Sequence, residues 1–259
     1  MLKIMSLNLR FGLAADGPNR WERRKEAVAA LLCKYPSDLI GFQEANDFQI
    51  DYLTKILSGY GCIGRRQPAP PFWQNNVIFF QHRWSCIANS HFFLSCTPDI
   101  PSRMRASRWP RQCTIGLFKH KHTGRVVACV NTHFDFDPMV QAASAVVVLQ
   151  RLAATVAADL PAILLGDFNT GPDSRSHAIL TGLESPPGLS PPSFKNIWQD
   201  PFPGTYHGFT GRPDGRHIDW ILYRGPVTAS GRCVIQEAFN DVYPSDHFPV
   251  RTDFSFEPV

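Results

Sequence analysis

A mixed α/β domain with helices covering its sheet faces is predicted by three features of this chain. Apolar runs of strand length alternate with helix-periodic segments through the first half. Strand-like runs dominate the second half. No internal repeat or linker divides the 259 residues, so one domain spanning 1–259 is expected.

Residues 2–9 read as a buried strand, followed by a loop holding Gly12, Gly17 and Pro18. Asn19 is placed to cap a helix, with Glu22 three residues on completing a capping box. Trp21, Val28, Leu31, Leu32 and Tyr35 fall near one face of that helix, and Pro36 ends it. A short apolar strand follows at 38–43, then a helix over 47–57 closed by Gly59. VIFF at 77–80 and HFFL at 91–94 read as strands. TIGLF at 114–118 and VVACVNTH at 126–133 form a hairpin across Thr123-Gly124. Asp137 and Pro138 open a long helix, cap first and proline at its first position. Met139, Ala143, Val146, Leu149, Ala153 and Val156 mark its expected buried stripe. AILLGDFN at 162–169 is a buried strand running into a polar end. Residues 182–215, rich in Gly, Pro and Ser, read as a long surface segment. IDWILY at 218–223 is a further strand, and a polar turn, PSDH, precedes the last one, FPVRTDF.

The bulk composition narrows the class. Apolar residues make up 44% and charged residues 19%, a globular balance and not a disordered one. The formal charge of +4 suits a phosphorylated substrate without demanding one, and no dense Lys/Arg block points to nucleic acid. Seven cysteines, without a CxxC pair, read as reduced and mostly buried thiols. The N-terminus lacks a signal-peptide pattern, and the strongest apolar run, 142–149, is far too short for a membrane span. A cytoplasmic enzyme without an evident protein partner is expected.

The residues able to do chemistry sit at the ends of apolar strands: Asn8, Gln43-Glu44, Asn131-Thr132-His133 and Asp167-Phe168-Asn169. His217-Ile218-Asp219 and Ser245-Asp246-His247 follow. A rigid scaffold fixes catalytic groups at such positions. Carboxylate and amide oxygens of Glu44, Asp246 and Asn8 suit a hard cation such as Mg²⁺. Asp167 is able to take a proton from attacking water, and Asn169 to hold that water or a phosphate. His133 and His247 are able to donate to a phosphoryl oxygen as charge builds. Each motif alone is equally well explained as a solvated turn, an Asx turn or a hydrogen-bonded strand end. Their joint order carries the argument.

At these residues the chain resembles the endonuclease/exonuclease/phosphatase superfamily, which includes deoxyribonuclease I-like nucleases, inositol polyphosphate phosphatases and neutral sphingomyelinases. The likeness runs from SLNLR to SDHFPV and keeps the motifs in order. Trp21, Glu22, Arg24 and Lys25, Phe93-Leu94-Ser95, Pro110 to Thr114, and Gly204 to Phe209 narrow it to a compact bacterial branch. The resemblance implies a four-layer α/β sandwich, two packed mixed β-sheets flanked by helices. It implies a Mg²⁺- or Mn²⁺-dependent hydrolase with Glu44 as main metal ligand and Asn8 and Asp246 nearby. Asp167 and Asn169 would act on water, Asp219 would orient His247, and His133, Asn169 and Arg111 would contact the phosphate. Two positions depart from the pattern. Gln74 stands where relatives carry a Glu that pairs with the His133 equivalent, and Gln141-Ala142 stands where an Arg is frequent.

The implied partner is a small or single-stranded phosphorylated substrate. A DNA or RNA nuclease is the near rival; Arg65, Arg66, Arg103, Arg105, Arg108 and Arg111 would have to form its basic groove, with Trp73 and Trp109 stacking bases. Lipid hydrolysis would need an exposed apolar element, for which Phe72-Trp73 or Phe202 are candidates. A non-catalytic binding module keeping the fold is the alternative of a different class. It would typically have lost Glu44, Asp167, Asn169, Asp246 or His247, and all five are present.

Overall fold

The structure, a computed structural model, describes residues 1–188 and 194–257. Two six-stranded sheets pack face to face. The first runs β11 (Val227–Val234), β12 (Val250–Phe256), β1 (Leu2–Asn8), β2 (Leu39–Ala45), β4 (Asn75–Gln81), β3 (Tyr60–Ile63). The second runs β5 (Trp84–Phe93), β6 (Gln112–His120), β7 (Val126–His133), β8 (Ala162–Asp167), β10 (Asp219–Arg224), β9 (Lys195–Asn196). Helices α1 (Trp21–Lys34) and α2 (Asp47–Ile56) cover the first sheet. Helices α3 (Pro138–Thr155) and α4 (Arg175–Thr181) cover the second. This is the expected four-layer sandwich.

Three apolar clusters hold the layers, and strand periodicity assigns residues to them. Along β1, Leu2 and Ile4 point between the sheets, while Met5 and Leu7 point to the helices. Leu39, Ile78, Phe118, Val127, Ile163 and Ile221 complete the inter-sheet cluster. Val130, Leu164 and Leu222 face α3 and α4 instead.

The inner faces change character at one end of the sandwich. Continuing the alternation, β1 passes to Ser6 and Asn8, β2 to Gln43, β7 to Asn131 and His133, and β8 to Asp167. β1 and β2 are parallel, as are β7 and β8, while β10 runs against β8 and so begins at that end with Asp219. Buried polar groups need partners, and here they find them across the gap. Gln43 Nε2 donates to Asn131 Oδ1 at 2.7 Å, and Asn131 Nδ2 donates to the carbonyls of Phe42 and Val77 at 2.9 and 2.8 Å. Gly41 leaves the space for this crossing: a Cβ there would lie 2.1 Å from Leu165 Cδ1 and 3.0 Å from Asn131 Cγ.

Several local expectations are corrected. Gly17–Asn19 forms a 3₁₀ turn, and α1 is capped by Arg20 without a side-chain hydrogen bond, so Asn19 caps nothing. The proline at position 18 favours the 3₁₀ turn that takes up Asn19, leaving it one residue ahead of the cap position. The capping box lies instead at Asn46 and Gln49, ahead of α2. Asp137 does cap α3, accepting from Met139 N and Val140 N. The expected stripe of α3 holds in part: Leu149 and Val156 are buried and Val146 packs against the core, but Met139 is 69% exposed and Ala153 is exposed, while Val140, Ser144, Val148 and Leu152, outside that stripe, are buried. That helix is apolar nearly all round, so periodicity does not fix its facing side. The 182–215 segment is not simply surface, since Phe194, Ile197 and Thr205 are buried; its 189–193 stretch lies outside the described residues. All seven cysteines are free, but they are not mostly buried: Cys113 and Cys129 are buried, Cys62, Cys86 and Cys233 half-buried, and Cys33 and Cys96 exposed.

Replacing Asn131 by Ala would remove the shortest hydrogen bond of Gln43 Nε2, leaving it those to Ser6 Oγ and the Gly41 carbonyl, and would take the amide donor from the carbonyls of Phe42 and Val77 in a water-excluded core. We expect a loss of about 3 kcal/mol in urea unfolding; a loss under about 1 kcal/mol would show that the amide crossing does not hold the sheets.

Candidate active site

Asp167 is the hub of the polar end. It closes β8, in register with His133 on β7 and Asp219 on β10. Gly166 precedes it with φ +152°, and a Cβ there would sit 2.0 Å from Thr132 O, so the strands approach at a spacing only glycine allows. Asp167 Oδ2 accepts from Asn8 Nδ2 of the other sheet at 2.9 Å. The same oxygen lies 3.4 Å from His133 Nε2 and 3.8 Å from His247 Nε2. Its Oδ1 accepts from Asn169 N at 2.9 Å.

Glu44 stands opposite, at the bulged end of β2. Its Oε1 accepts from Asn8 Nδ2 at 3.2 Å and its Oε2 from Phe11 N at 2.6 Å. One ligand atom each of Glu44, His133 and Asp167 lie within 4.8 Å of one another, as do those of Asp167, Asp219 and His247. His133 Nε2 faces two donors, Asn169 Nδ2 at 2.9 Å and Arg111 Nη1 at 3.2 Å, which makes it an acceptor. Acceptor atoms therefore converge from three residues, two of them carboxylates. That donor set fits a hard divalent cation, held chiefly by the carboxylate oxygens of Glu44 and Asp167.

The two histidines are pushed in opposite directions. Burial, then the charges of Arg111 and His247, lower the His133 pKa well below its ordinary value, so it is neutral. Burial alone would also lower that of His247, but the carboxylates of Asp219 and Asp167 outweigh it and hold the ring well above the usual range. Its Nδ1 lies 2.9 Å from Asp219 Oδ2. Burial, with Asp219 adding and His247 opposing, pushes the Asp167 carboxyl up to about 7.

The structure thus brings together Asn8, Glu44, His133, Asp167, Asn169, Asp219, His247 and Arg111. The expected metal trio Asn8, Glu44 and Asp246 is arranged otherwise. Asn8 turns its amide nitrogen to both carboxylates, while its oxygen accepts from Arg10 N at 2.8 Å. Asp246 lies in neither donor group among the described residues; its Oδ1 accepts from Ser245 Oγ at 3.2 Å and its Oδ2 lies 3.6 Å from Arg10 Nη1. Gln74 lines the cavity beside His133 but makes no side-chain hydrogen bond to it among the described residues. Gln141, where an Arg contact seemed lost, is buried and donates to the carbonyls of Asp135 and Asn169, at 2.7 and 3.4 Å.

Other residues do structural work that spacing did not reveal. Buried Arg24 donates to the carbonyls of Leu9, Arg10 and Pro244, tying the exit of β1 to the turn before Asp246. Thr205 Oγ1 accepts from the backbone N–H groups of Ile218 and Asp219. Tyr206 bridges to His247 through the backbone and sets its ring edge-on, 5.0 Å away. The segment Gly204 to Phe209 therefore buttresses the Asp219–His247 pair.

A cavity of about 450 Å³ is lined by His133 and Arg111 together with Phe72, Trp73, Trp109, Gln74, Asn76 and Gln112; the amides of Asn76 and Gln112 donate to the carbonyls of Gln112 and Gln74. Arg111 is 7% exposed, and its Nε has no hydrogen-bond partner.

The Endonuclease/Exonuclease/phosphatase family matches residues 5–247. A mannosyl-6-phosphatase from Bacteroides thetaiotaomicron superposes with a TM-score of 0.88 at 25% identity, over 99% of this chain and 100% of that one. An endonuclease/exonuclease/phosphatase family protein of the same organism gives 0.88 and 25%, over 99% of this chain and 98% of its own. Mouse nocturnin is 26% identical across 92% of this chain, which spans 59% of nocturnin's length.

In the metal-free protein, Asp219→Asn removes the strongest charge holding the proton on His247. The imidazole titration followed by NMR is expected to move from above 6.5 to lower pH; an unmoved midpoint would show that Asp219 does not set the charge of that ring.

Proposed function

The chain belongs to the endonuclease/exonuclease/phosphatase family, whose members are hydrolases acting on phosphate esters, and we propose that it is a Mg²⁺- or Mn²⁺-dependent phosphatase of small, ring-bearing phosphate esters. The observation that supports this reading is the aromatic-lined cavity that holds Arg111 and His133. Aromatic faces suit the carbon skeleton of a sugar or nucleoside, and the Gln74 side chain, which also lines it, suits a hydroxyl or amide edge. The likeness to a mannosyl-6-phosphatase agrees with such a substrate.

The residues divide the work as follows. Glu44 and Asp167 would hold the cation. When bound, it would supply charge that polarises the phosphoryl group and acidifies water. Asp167 takes the proton of the attacking water, oriented with Asn169, whose backbone N–H it already accepts. Arg111 and the Asn169 amide bind phosphoryl oxygens. His247, charged and aimed by Asp219, donates to the oxygen on which charge develops. Asn8 orients the two carboxylates.

A duplex nuclease reading receives less support. Arg65 is engaged with Asp47 and Asp51, and Arg103 with the Ser107 carbonyl, while Arg66 and Arg108 lie over Trp73 and Trp109. These interactions do not make a continuous cationic track along a duplex backbone. Of the two candidates for contact with a lipid surface, Phe202 packs against His217, while Phe72 is exposed at the cavity mouth.

The test is hydrolysis of p-nitrophenyl phosphate, bis-p-nitrophenyl phosphate and hexose 6-phosphates with Mg²⁺, Mn²⁺ or EDTA. Monoesters should turn over faster than the diester, EDTA should abolish turnover, and Asp167→Asn should lower kcat by roughly 10²- to 10⁴-fold. Glu44→Gln should raise the Mg²⁺ concentration for half-maximal rate about tenfold, the loss of one charged ligand. Full activity in both variants would show that the site is elsewhere; metal-independent turnover would remove the cation from the mechanism.

A further inference from the structure

Asp135 is a buried acid that the proposed chemistry does not use. It lies just past β7, two residues beyond His133, and is 4% exposed. Its Oδ1 accepts from the backbone N–H of Phe136 at 2.9 Å and of Asp137 at 3.2 Å, which fixes the carboxylate plane. Its Oδ2 points the other way, to two groups of the cavity wall. One is Arg111 Nε, 3.5 Å away, an ion pair without hydrogen-bond geometry. The other is Ser107 Oγ at 2.6 Å. Ser107 is itself buried, 3% exposed, and its Oγ also lies 2.6 Å from the carbonyl of Trp109. A serine has one proton, so it serves one of these acceptors at a time. When the proton goes to Asp135, the loop that carries Trp109 is anchored at the carboxylate that faces Arg111; when it goes to the Trp109 carbonyl, the bond stays within the loop.

We propose that Asp135 is a positioning residue that sets the phosphate clamp and the leaving-group wall together, holding Arg111 toward the phosphoryl site and, through Ser107, the Trp109 loop over the cavity. The proposal rests on the phosphatase reading above. Among the described residues the Arg111 guanidinium meets Asp135, the acceptor nitrogen of His133 and the ring of Phe136, whose centroid lies 5.5 Å from its central carbon. Burial denies it water as an alternative partner, so its direction is set by these contacts, of which Asp135 is the charged one. Gln141, donating to the Asp135 carbonyl, fixes the backbone on which the carboxylate stands.

The sign of one measurement separates this role from a passive one. A carboxylate that is merely near an anion site repels the anion, so its neutralisation tightens phosphate binding. A carboxylate that aims the clamp loosens phosphate binding when neutralised. Inorganic phosphate is titrated calorimetrically into wild type, Asp135→Asn, Arg111→Ala and the double variant, with Mg²⁺ and with EDTA, after thermal unfolding has confirmed that each folds. The expected result is a Kd raised about tenfold in Asp135→Asn, and less than about twofold further loss when that change is added to Arg111→Ala. An equal or tighter Kd in Asp135→Asn, or full additivity in the double variant, would overturn the proposal while leaving the phosphatase reading in place. Should the wild type bind no phosphate under either condition, the phosphatase reading falls and the clamp with it. Ser107→Ala gives a second measurement if Asp135→Asn does not fold. Its phosphate Kd should stay within about threefold, while KM for p-nitrophenyl phosphate rises about fivefold relative to KM for glycerol phosphate. An unchanged ratio of the two KM values would show that Ser107 does not hold the aromatic wall.

Discussion

The site depends on one constraint: two apolar sheet faces must become polar at the same end and still pack. A buried amide or carboxylate without a partner costs of the order of 1 to 3 kcal/mol, more if charged. The sandwich meets this by pairing across the gap. Asn131 reaches from the second sheet to backbone carbonyls of the first, and Asn8 reaches from the first to Asp167 of the second. Each hydrogen bond that satisfies a buried group therefore also fixes the sheets relative to each other. Because the catalytic candidates stand on both sheets, the inter-sheet spacing is the active-site geometry. The same economy explains Gly41, where any side chain would fill the path of Asn131.

Electrostatics then sorts chemically similar residues into different states. His133 and His247 are both buried near Asp167, yet one meets an arginine and the other two carboxylates. The first is held neutral and the second charged. Asp167 lies between them with its own affinity for protons increased by burial. A cation placed beside Asp167 would favour its ionised form, the form a general base requires. In the absence of that charge, burial and the neighbouring Asp219 carboxylate keep the proton affinity of Asp167 raised.

Strand ends were legible because a period of two and a terminal acid or amide are both written in the residues. LNLR, FQEA, VNTH and GDFN each announce a buried strand that stops at a functional group. The order of those motifs also carried the fold, through resemblance. What stayed hidden was anything that depends on the partner across the gap. Asn8 was readable as a polar strand end, but not that its nitrogen would face the carboxylates while Arg10 N takes its oxygen. The α3 stripe was only partly legible because a run such as AASAVVVLQ offers several equally apolar faces. β3 and β11 were missed because edge strands bury little: YGCI is half-buried throughout, and the middle of β11 is exposed. Asp135 gave no signal, and Thr205 stood out only as part of Gly204 to Phe209, without its role, since short polar residues in loops are ordinary and their work lies in long-range contacts.

Backbone conformation gives an independent view of where function constrains the chain. Glu44 and Asn169 both adopt left-handed conformations, with φ of 58° and 55°. Such a conformation is uncommon for a non-glycine residue, less so for asparagine, and costs on the order of 1 kcal/mol or more. Neither position lies in a free loop where relaxation would be easy. Glu44 sits at the bulge that ends β2, and its two oxygens accept from Asn8 and Phe11, which fixes the side chain that the twisted backbone presents. Asn169 follows Phe168, which stacks on Trp220 with ring centroids 4.2 Å apart, and its amide donates to the Phe134 carbonyl as well as facing His133. In both cases packing and hydrogen bonds outside the reacting centre hold the strained residue. Regular alternation would send Glu44, next to the inward Gln43, away from the gap, while Asn169, two residues after the inward Asp167, keeps the same parity and needs a turn only to bring its amide back to His133. The left-handed turn is the local change that redirects them, and the sandwich core supplies the rigidity that keeps it.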